Sequence, residues 1–235
     1  MYLIEGNIGV GKSTFLSEIK KHLPSVACTK EPLDNWANQS FGKSLLEEFY
    51  LDPKRWAYTI ETLAMICRSR DHVSVQKQHA HHLVERSIYS GHYCFALNGK
   101  EEGYFSNLEW DIYQQWVSFL FNQKCRPPHG FIYLQADPNV CYLRIAKRSR
   151  SGESTISLGY LEKIHQWHNK FLIQKTGVSS AIANVPVLVI DATKDFANSP
   201  ERMKLIAQKV AAFIAETSSP LQSPFAPEIA PSAQR

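Results

Sequence analysis

The order of apolar and polar positions along the chain is that of a parallel sheet layered with helices. Short apolar runs at Tyr2–Ile4, Val26–Thr29, Leu83–Val84, Phe131–Gln135 and Val187–Ile190 predict five strands. Between them the period lengthens to that of a helix. Phe15, Leu16, Ile19 and Leu23 mark one face of a first helix that Pro24 ends, and a long helix is predicted from Arg55 to about Gln78. Further helices are predicted over Leu108–Lys124, Asn139–Arg148, Leu158–Gln174 and Pro200–Ala215. Such alternation predicts the α/β class, a five-stranded parallel sheet flanked by helices. The chain shows no internal repeat.

From Thr217 to Arg235 the pattern stops. Pro220, Pro224, Pro227 and Pro231 stand among serines and alanines with almost no charge, which predicts an unfolded tail beyond a single domain of residues 1–216. A docking motif for a partner is the alternative reading of that tail.

Composition changes this picture little. With 44% hydrophobic and 20% charged residues, the chain can bury a core and is neither disordered nor collagen-like. The formal charge of +4 allows a polyanionic partner but falls short of a nucleic-acid-binding face. The four cations Arg144, Lys147, Arg148 and Arg150 equal that surplus, so the charge reads as a local cluster. Cys28, Cys67, Cys94, Cys125 and Cys141 are odd in number and form no C-x-x-C pair, the pattern of reduced thiols. No apolar run approaches the roughly 20 residues of a membrane span, and no charged leader precedes Tyr2. The expectation is a cytoplasmic chain without a membrane partner, with a trimmed organelle-targeting peptide left open.

The strongest chemical signal is Gly6-Asn7-Ile8-Gly9-Val10-Gly11-Lys12-Ser13, followed by Thr14, between an apolar strand and an amphipathic helix. This is the phosphate-loop pattern in its required context. Its backbone N–H groups can wrap phosphate oxygens at a helix N-terminus, Lys12 can reach the β and γ phosphates of ATP, and Ser13 can ligate Mg²⁺. The Asp-x-x-Gly and Asn-Lys-x-Asp signals of GTP switches are absent, which leaves kinases and motor-type ATPases.

Two further sets sit at strand ends, where open α/β sheets bind ligands. Glu31-Pro32-Leu33-Asp34-Asn35-Trp36 follows the second strand, and Val84-Glu85-Arg86-Ser87 closes the third. With the phosphate loop, the segment 46–56, Glu85 to Ser90 and the basic run Arg144–Arg150, the sequence resembles the deoxynucleoside kinase family over nearly its whole length before the tail. The resemblance implies a P-loop kinase three-layer fold with an arginine-rich lid, and transfer of the ATP γ-phosphate to a deoxynucleoside 5′-hydroxyl.

The chemistry gives each part a role. A carboxylate beside the phosphate loop, Glu31, can take the hydroxyl proton, Arg86 can hold that carboxylate and the 5′-oxygen, and Glu85 can complete the Mg²⁺ site with Ser13. By resemblance, Arg144, Arg148 and Arg150 neutralise the transferred phosphoryl group, Tyr50 and Glu153 hold the sugar 3′-hydroxyl, and Trp36 and Phe95 enclose the base. Taken alone, Glu85 and Arg86 also fit a structural ion pair, the lid a solvated helix face, and the two aromatics ordinary core.

Where the family carries a base-reading glutamine, this chain has Glu61. A carboxylate only accepts hydrogen bonds, whereas guanine presents two adjacent donors, so the swap favours deoxyguanosine or another purine. Arg68 lies seven residues on, about 10 Å along the same helix face, where it can reach a purine O6 or N7. The aspartate that purine-active relatives add after Glu-Arg-Ser is Gly91 here, and an acid before Glu153 is replaced by Gly152. Alternatively, Glu61 faces solvent or pairs with Arg68, and Arg68 with Asp71.

Three rival functions remain: a thymidylate-like nucleoside monophosphate kinase, a non-catalytic nucleotide-binding subunit, and nucleic-acid binding through the short basic cluster. The helix Leu108–Lys124, with Trp110, Tyr113 and Trp116, lies in the region through which family members pair, so a homodimer is expected.

Overall fold

The computed structural model of the chain describes residues 1–31, 44–78, 80–150, 153–196 and 198–218. In chain order, β1 (Tyr2–Glu5) leads through the phosphate loop into α1 (Lys12–His22), then β2 (Ala27–Thr29), α2 (Leu45–Leu51) and α3 (Pro53–Val75). β3 (His82–Glu85) precedes α4 (Ile88–Ser90), a π-helical stretch (Gly91–Ala96) and α5 (Leu97–Glu101). α6 (Asn107–Phe119) runs into a second π stretch (Leu120–Lys124), followed by β4 (Gly130–Gln135), α7 (Pro138–Arg148) and a 3₁₀ turn (Glu153–Thr155). α8 (Leu158–His168) ends in a third π stretch (Asn169–Gln174), and α9 (Ser180–Ala183), β5 (Val187–Asp191) and α10 (Pro200–Thr217) complete the fold.

All five strands are parallel, in the order β2-β3-β1-β4-β5. Parallel neighbours need crossover connections, and these put helices on both faces. Alternation along β1 shows the consequence. Leu3 packs with Val84, Phe131 and residues of α3 to α6, while Tyr2 and Ile4 pack on the other face with Phe15, Ile132 and Val210. The layering is the three-layer arrangement expected from the sequence. β1 lies between β3 and β4, so the loops after β1, β2 and β3 converge at the carboxyl edge, where ligands bind such sheets.

Local chemistry sets the helix ends. Asp52 Oδ1 accepts a hydrogen bond from the Arg55 N–H at 3.2 Å with Pro53 in the first turn, so α3 begins two residues before the expected Arg55. At the other end of the chain, α10 runs to Thr217, whose hydroxyl lies 2.9 Å from the Tyr2 hydroxyl. Thr217 therefore belongs to the folded domain rather than to the expected tail, and residues 219–235 lie outside the described residues. No helix among the described residues is long and apolar enough to cross a membrane.

Candidate active site

The phosphate loop is shaped by close backbone approach. Gly6 has φ 146°, and a Cβ there would stand 2.5 Å from the Leu134 carbonyl oxygen. Gly9 has φ 78°, with its Cβ position 2.6 Å from the Cys141 carbonyl oxygen. Both positions exclude a side chain on conformation and on space. Asn7 ties the loop to α8, donating from Nδ2 to the Leu161 carbonyl at 2.8 Å while its Oδ1 accepts from the Ile8 N–H at 2.9 Å. Val10 is buried in the core and Thr14 is exposed. Lys12 folds back over the loop and donates to the Gly6 and Asn7 carbonyls at 3.0 and 2.9 Å. Burial, with the Arg86 charge nearby, lowers its pKa to about 7.

Beside the loop, Glu31 follows β2 and takes two buried arginines. Its Oε1 accepts from Arg68 Nε at 3.0 Å and Nη2 at 2.6 Å, and its Oε2 from Arg86 Nε at 3.2 Å. Burial alone would raise the pKa of Glu31, but Arg68, Arg86 and Lys12 outweigh it and hold it at about 2. Arg86 occupies the left-handed region at φ 62°, a strained state for a non-glycine residue. Its N–H donates to the Ile4 carbonyl at 2.9 Å, which locks the turn after β3 onto β1. Glu85, one residue earlier, accepts from Ser13 Oγ at 2.7 Å and from the Glu31 N–H at 3.4 Å. Strand ends and phosphate loop are thereby stitched into one constellation.

A family model described as deoxynucleoside kinase matches residues 2–215. The chain belongs to the deoxynucleoside kinase family. The mitochondrial deoxyguanosine kinase of Xenopus laevis is 37% identical, with 90% of this chain and 88% of that protein covered. Deoxycytidine kinase 2 of Gallus gallus is 36% identical over 90% and 89% of the two chains, and Homo sapiens deoxycytidine kinase 34% over the same shares. This kinase is an ATP-dependent phosphotransferase that phosphorylates deoxynucleosides.

The kinase brings most of the residues expected from its sequence to one cavity. Ile8, Gly9, Lys12, Ser13, Glu31, Tyr50, Glu61, Arg68, Glu85, Arg86, Phe95, Arg148, Arg150 and Glu153 line it. Arg86 lies over the Phe95 ring, its Cζ 4.6 Å from the centroid. Across the cavity, Glu153 Oε2 accepts from Arg148 Nε at 3.0 Å, and its Oε1 from Arg150 Nη1 at 3.3 Å. Burial, then the Glu153 charge, raises the Tyr50 pKa above its ordinary value, so Tyr50 is a neutral phenol. Trp36 and Gly152 lie outside the described residues.

Two expectations change. Arg144 does not line the cavity; its Nη1 donates to the Val10 and Ala192 carbonyls at 3.0 and 2.8 Å and its Nη2 to Thr193 at 3.1 Å. It braces the outside of the phosphate loop against the loop after β5. Arg68 pairs with neither Asp71 nor Glu61, because a buried guanidinium gains more from the nearby Glu31 carboxylate; Asp71 instead meets Arg70 at 3.7 Å. Gly91 accounts for part of this, since a Cβ there would stand 2.7 Å from Arg68 Nη1.

Glu61 is half-buried and faces the cavity rather than open solvent. It lines the cavity with Oε2 buried and without a hydrogen-bond partner among the described residues. Burial raises its pKa to about 7 against the pull of Arg68 and Arg86, with Glu31 adding to the rise. Sequence reasoning missed Glu5, a buried carboxyl at the end of β1 that accepts from Ser87 Oγ at 2.5 Å. This bond helps to fix the turn that carries Glu85 and Arg86. The signal was the single acid in an otherwise apolar strand.

Proposed function

We propose that the kinase moves the ATP γ-phosphoryl group to the 5′-hydroxyl of a deoxynucleoside, with Glu31 facing that hydroxyl. The observation that carries this reading is the ionised Glu31, clamped by Arg68 and Arg86 in the same cavity as Lys12 and Ser13. A carboxylate with a pKa of about 2 is a weak base, so it orients the hydroxyl and takes its proton late, as a loose phosphoryl-transfer transition state allows. Lys12 leaves its two loop carbonyls to meet the β and γ phosphates. Arg148 and Arg150 approach the transferring group from the lid, and Glu153 with Tyr50 receives the 3′-hydroxyl, while Phe95 packs against the base.

Ser13 Oγ and Glu85 Oε1 lie 2.7 Å apart and form the hard oxygen pair that suits Mg²⁺ beside phosphate oxygens and water. When bound there, the ion would neutralise charge on the β and γ phosphates. The arginines of the cavity are each paired to a carboxylate, Arg68 and Arg86 to Glu31, Arg148 and Arg150 to Glu153, which favours a neutral acceptor over a nucleoside monophosphate.

As the carboxylate, Glu61 supports a preference for deoxyguanosine or another purine, its two oxygens taking the guanine N1–H and amino group. An exposed apolar stripe on α6, Leu108 (70% exposed), Ile112 and Trp116, supports pairing of two copies into a homodimer. Five unbridged cysteines support a reducing compartment such as the cytoplasm. Initial rates with ATP and each of the four deoxynucleosides, beside their 5′-monophosphates, test the reading. Turnover of nucleosides is expected, deoxyguanosine fastest at pH 8; turnover of monophosphates alone would overturn it.

A further inference from the structure

Glu61 is an acid where the kinase needs to read a base, and among the described residues no cation lies within ion-pair distance of it, although the charges of Arg68 and Arg86 reach it. It projects into the cavity that holds Phe95, Arg86 and Glu31, and no ion pair reaches it among the described residues. The cation of its own helix that acts on it, Arg68, turns its Nε and Nη2 onto Glu31, with its Nη1 in space that Gly91 leaves open. A half-buried carboxyl group at a ligand cavity, with one oxygen buried and unpartnered among the described residues, is costlier as an anion than as a neutral acid.

We propose that Glu61 selects the nucleobase through its own protonation: as the neutral acid it offers one donor and one acceptor, like an amide, and as the carboxylate two acceptors. The neutral form complements deoxycytidine and deoxyadenosine, each of which presents one amino donor beside one ring-nitrogen acceptor. The carboxylate complements the adjacent N1–H and amino donors of deoxyguanosine. This inference rests on the proposed reading of the cavity as a deoxynucleoside site and deepens it.

Among the described residues, the surroundings make Glu61 the group that changes charge at the base end near neutral pH. Arg68 on its own helix, Arg86 after β3 and Glu31 after β2 act on it directly, and Tyr50 (α2), Cys94 (π stretch), Tyr113 (α6) and Tyr160 (α8) feel its charge. Burial raises the pKa of all four of the latter, so they stay protonated, Glu31 stays ionised at about 2, and Arg86, whose pKa Glu31 raises against burial, stays charged. Glu61 alone of this set sits at about 7. Lys12 titrates in the same range but at the phosphate end, and it affects every acceptor alike.

The test is the ratio of kcat/KM for deoxycytidine to that for deoxyguanosine, measured from pH 6 to pH 8 on the full chain. A group titrating near 7 passes from about nine-tenths neutral to about one-tenth, so the ratio is expected to fall at least about tenfold; the Lys12 contribution cancels. In Glu61→Gln the ratio is expected to be flat and to favour deoxycytidine throughout. Calorimetry in buffers of different ionisation enthalpy gives a readout independent of turnover. Near pH 7, deoxycytidine binding takes up protons and deoxyguanosine binding releases them, and both effects vanish in Glu61→Gln. A flat ratio in the unmodified kinase, a tilt that survives in Glu61→Gln, or equal proton exchange with the two nucleosides overturns the proposal. Absence of turnover with every deoxynucleoside at every pH would instead overturn the reading on which it rests.

Discussion

Replacing Glu31 by glutamine removes the carboxylate that Arg68 and Arg86 share while keeping its shape. The pKa of Glu31 falls from an ordinary 4.5 to about 2 in the folded chain, which corresponds to about 3 kcal/mol of stability at neutral pH. Because the folded value is the lower one, this stability is complete above about pH 4.5 and is lost as pH falls toward 2. At roughly 2–4 °C per kcal/mol for a domain of this size, Glu31→Gln is expected to lower Tm by roughly 6–12 °C at pH 7 and to flatten the acid limb of the stability curve. The amide nitrogen would also face an arginine, donor against donor. Turnover has a separate expectation: loss of the group that orients and deprotonates the acceptor costs about 10²–10⁴ in kcat. Glu31→Asp keeps the charge and shortens the reach, so its Tm should stay closer to that of the unmodified kinase while kcat still drops. Thermal unfolding from pH 3 to 8 and initial rates at saturating ATP and deoxynucleoside measure the two effects. If Glu31→Gln retained kcat within about threefold, Glu31 would not be the base, and an unchanged Tm would refute the ionised cluster.

The other expectations concern neighbouring parts of the site. Gly91→Ala would place a methyl group 2.7 Å from Arg68 Nη1, and overpacking of about 1–3 kcal/mol should lower Tm together with kcat as the guanidinium moves off Glu31. Glu153→Gln should raise KM for deoxynucleosides about tenfold and leave 3′-deoxy analogues unaffected; equal effects on both would deny the 3′-hydroxyl contact. Arg144→Ala should raise KM for ATP and lower Tm with little change in kcat, since its three carbonyl bonds brace the phosphate loop. A kcat loss above about 10³ would return Arg144 to the transferring phosphate.

The strands and the phosphate loop were legible because period and glycine spacing are local signals. The five apolar runs became β1 to β5, and Gly6 and Gly9 occupy positions where no side chain fits. α4, α5 and the π stretch between them escaped a reading by periodicity. His92, Tyr93, Cys94 and Ala96 are all buried, so the segment has no polar face to mark a helix, and π geometry shifts its repeat. In the site, Glu61 was readable because no cation stands three or four residues from it. Arg68 and Arg144 were not. Helical spacing aimed Arg68 at the base, but its partner Glu31 lies 37 residues away in sequence, and the carbonyls held by Arg144 come from the phosphate loop and the loop after β5. Long-range charge pairing decides such side chains, and it leaves no local trace.

The most direct test of the account is the site of phosphoryl transfer. With [γ-³²P]ATP and deoxyguanosine at pH 8, the label should appear on the 5′-oxygen, with no product from 5′-deoxy nucleoside and little from deoxyguanosine monophosphate. Label transferred to the monophosphate and absent from the nucleoside would contradict it.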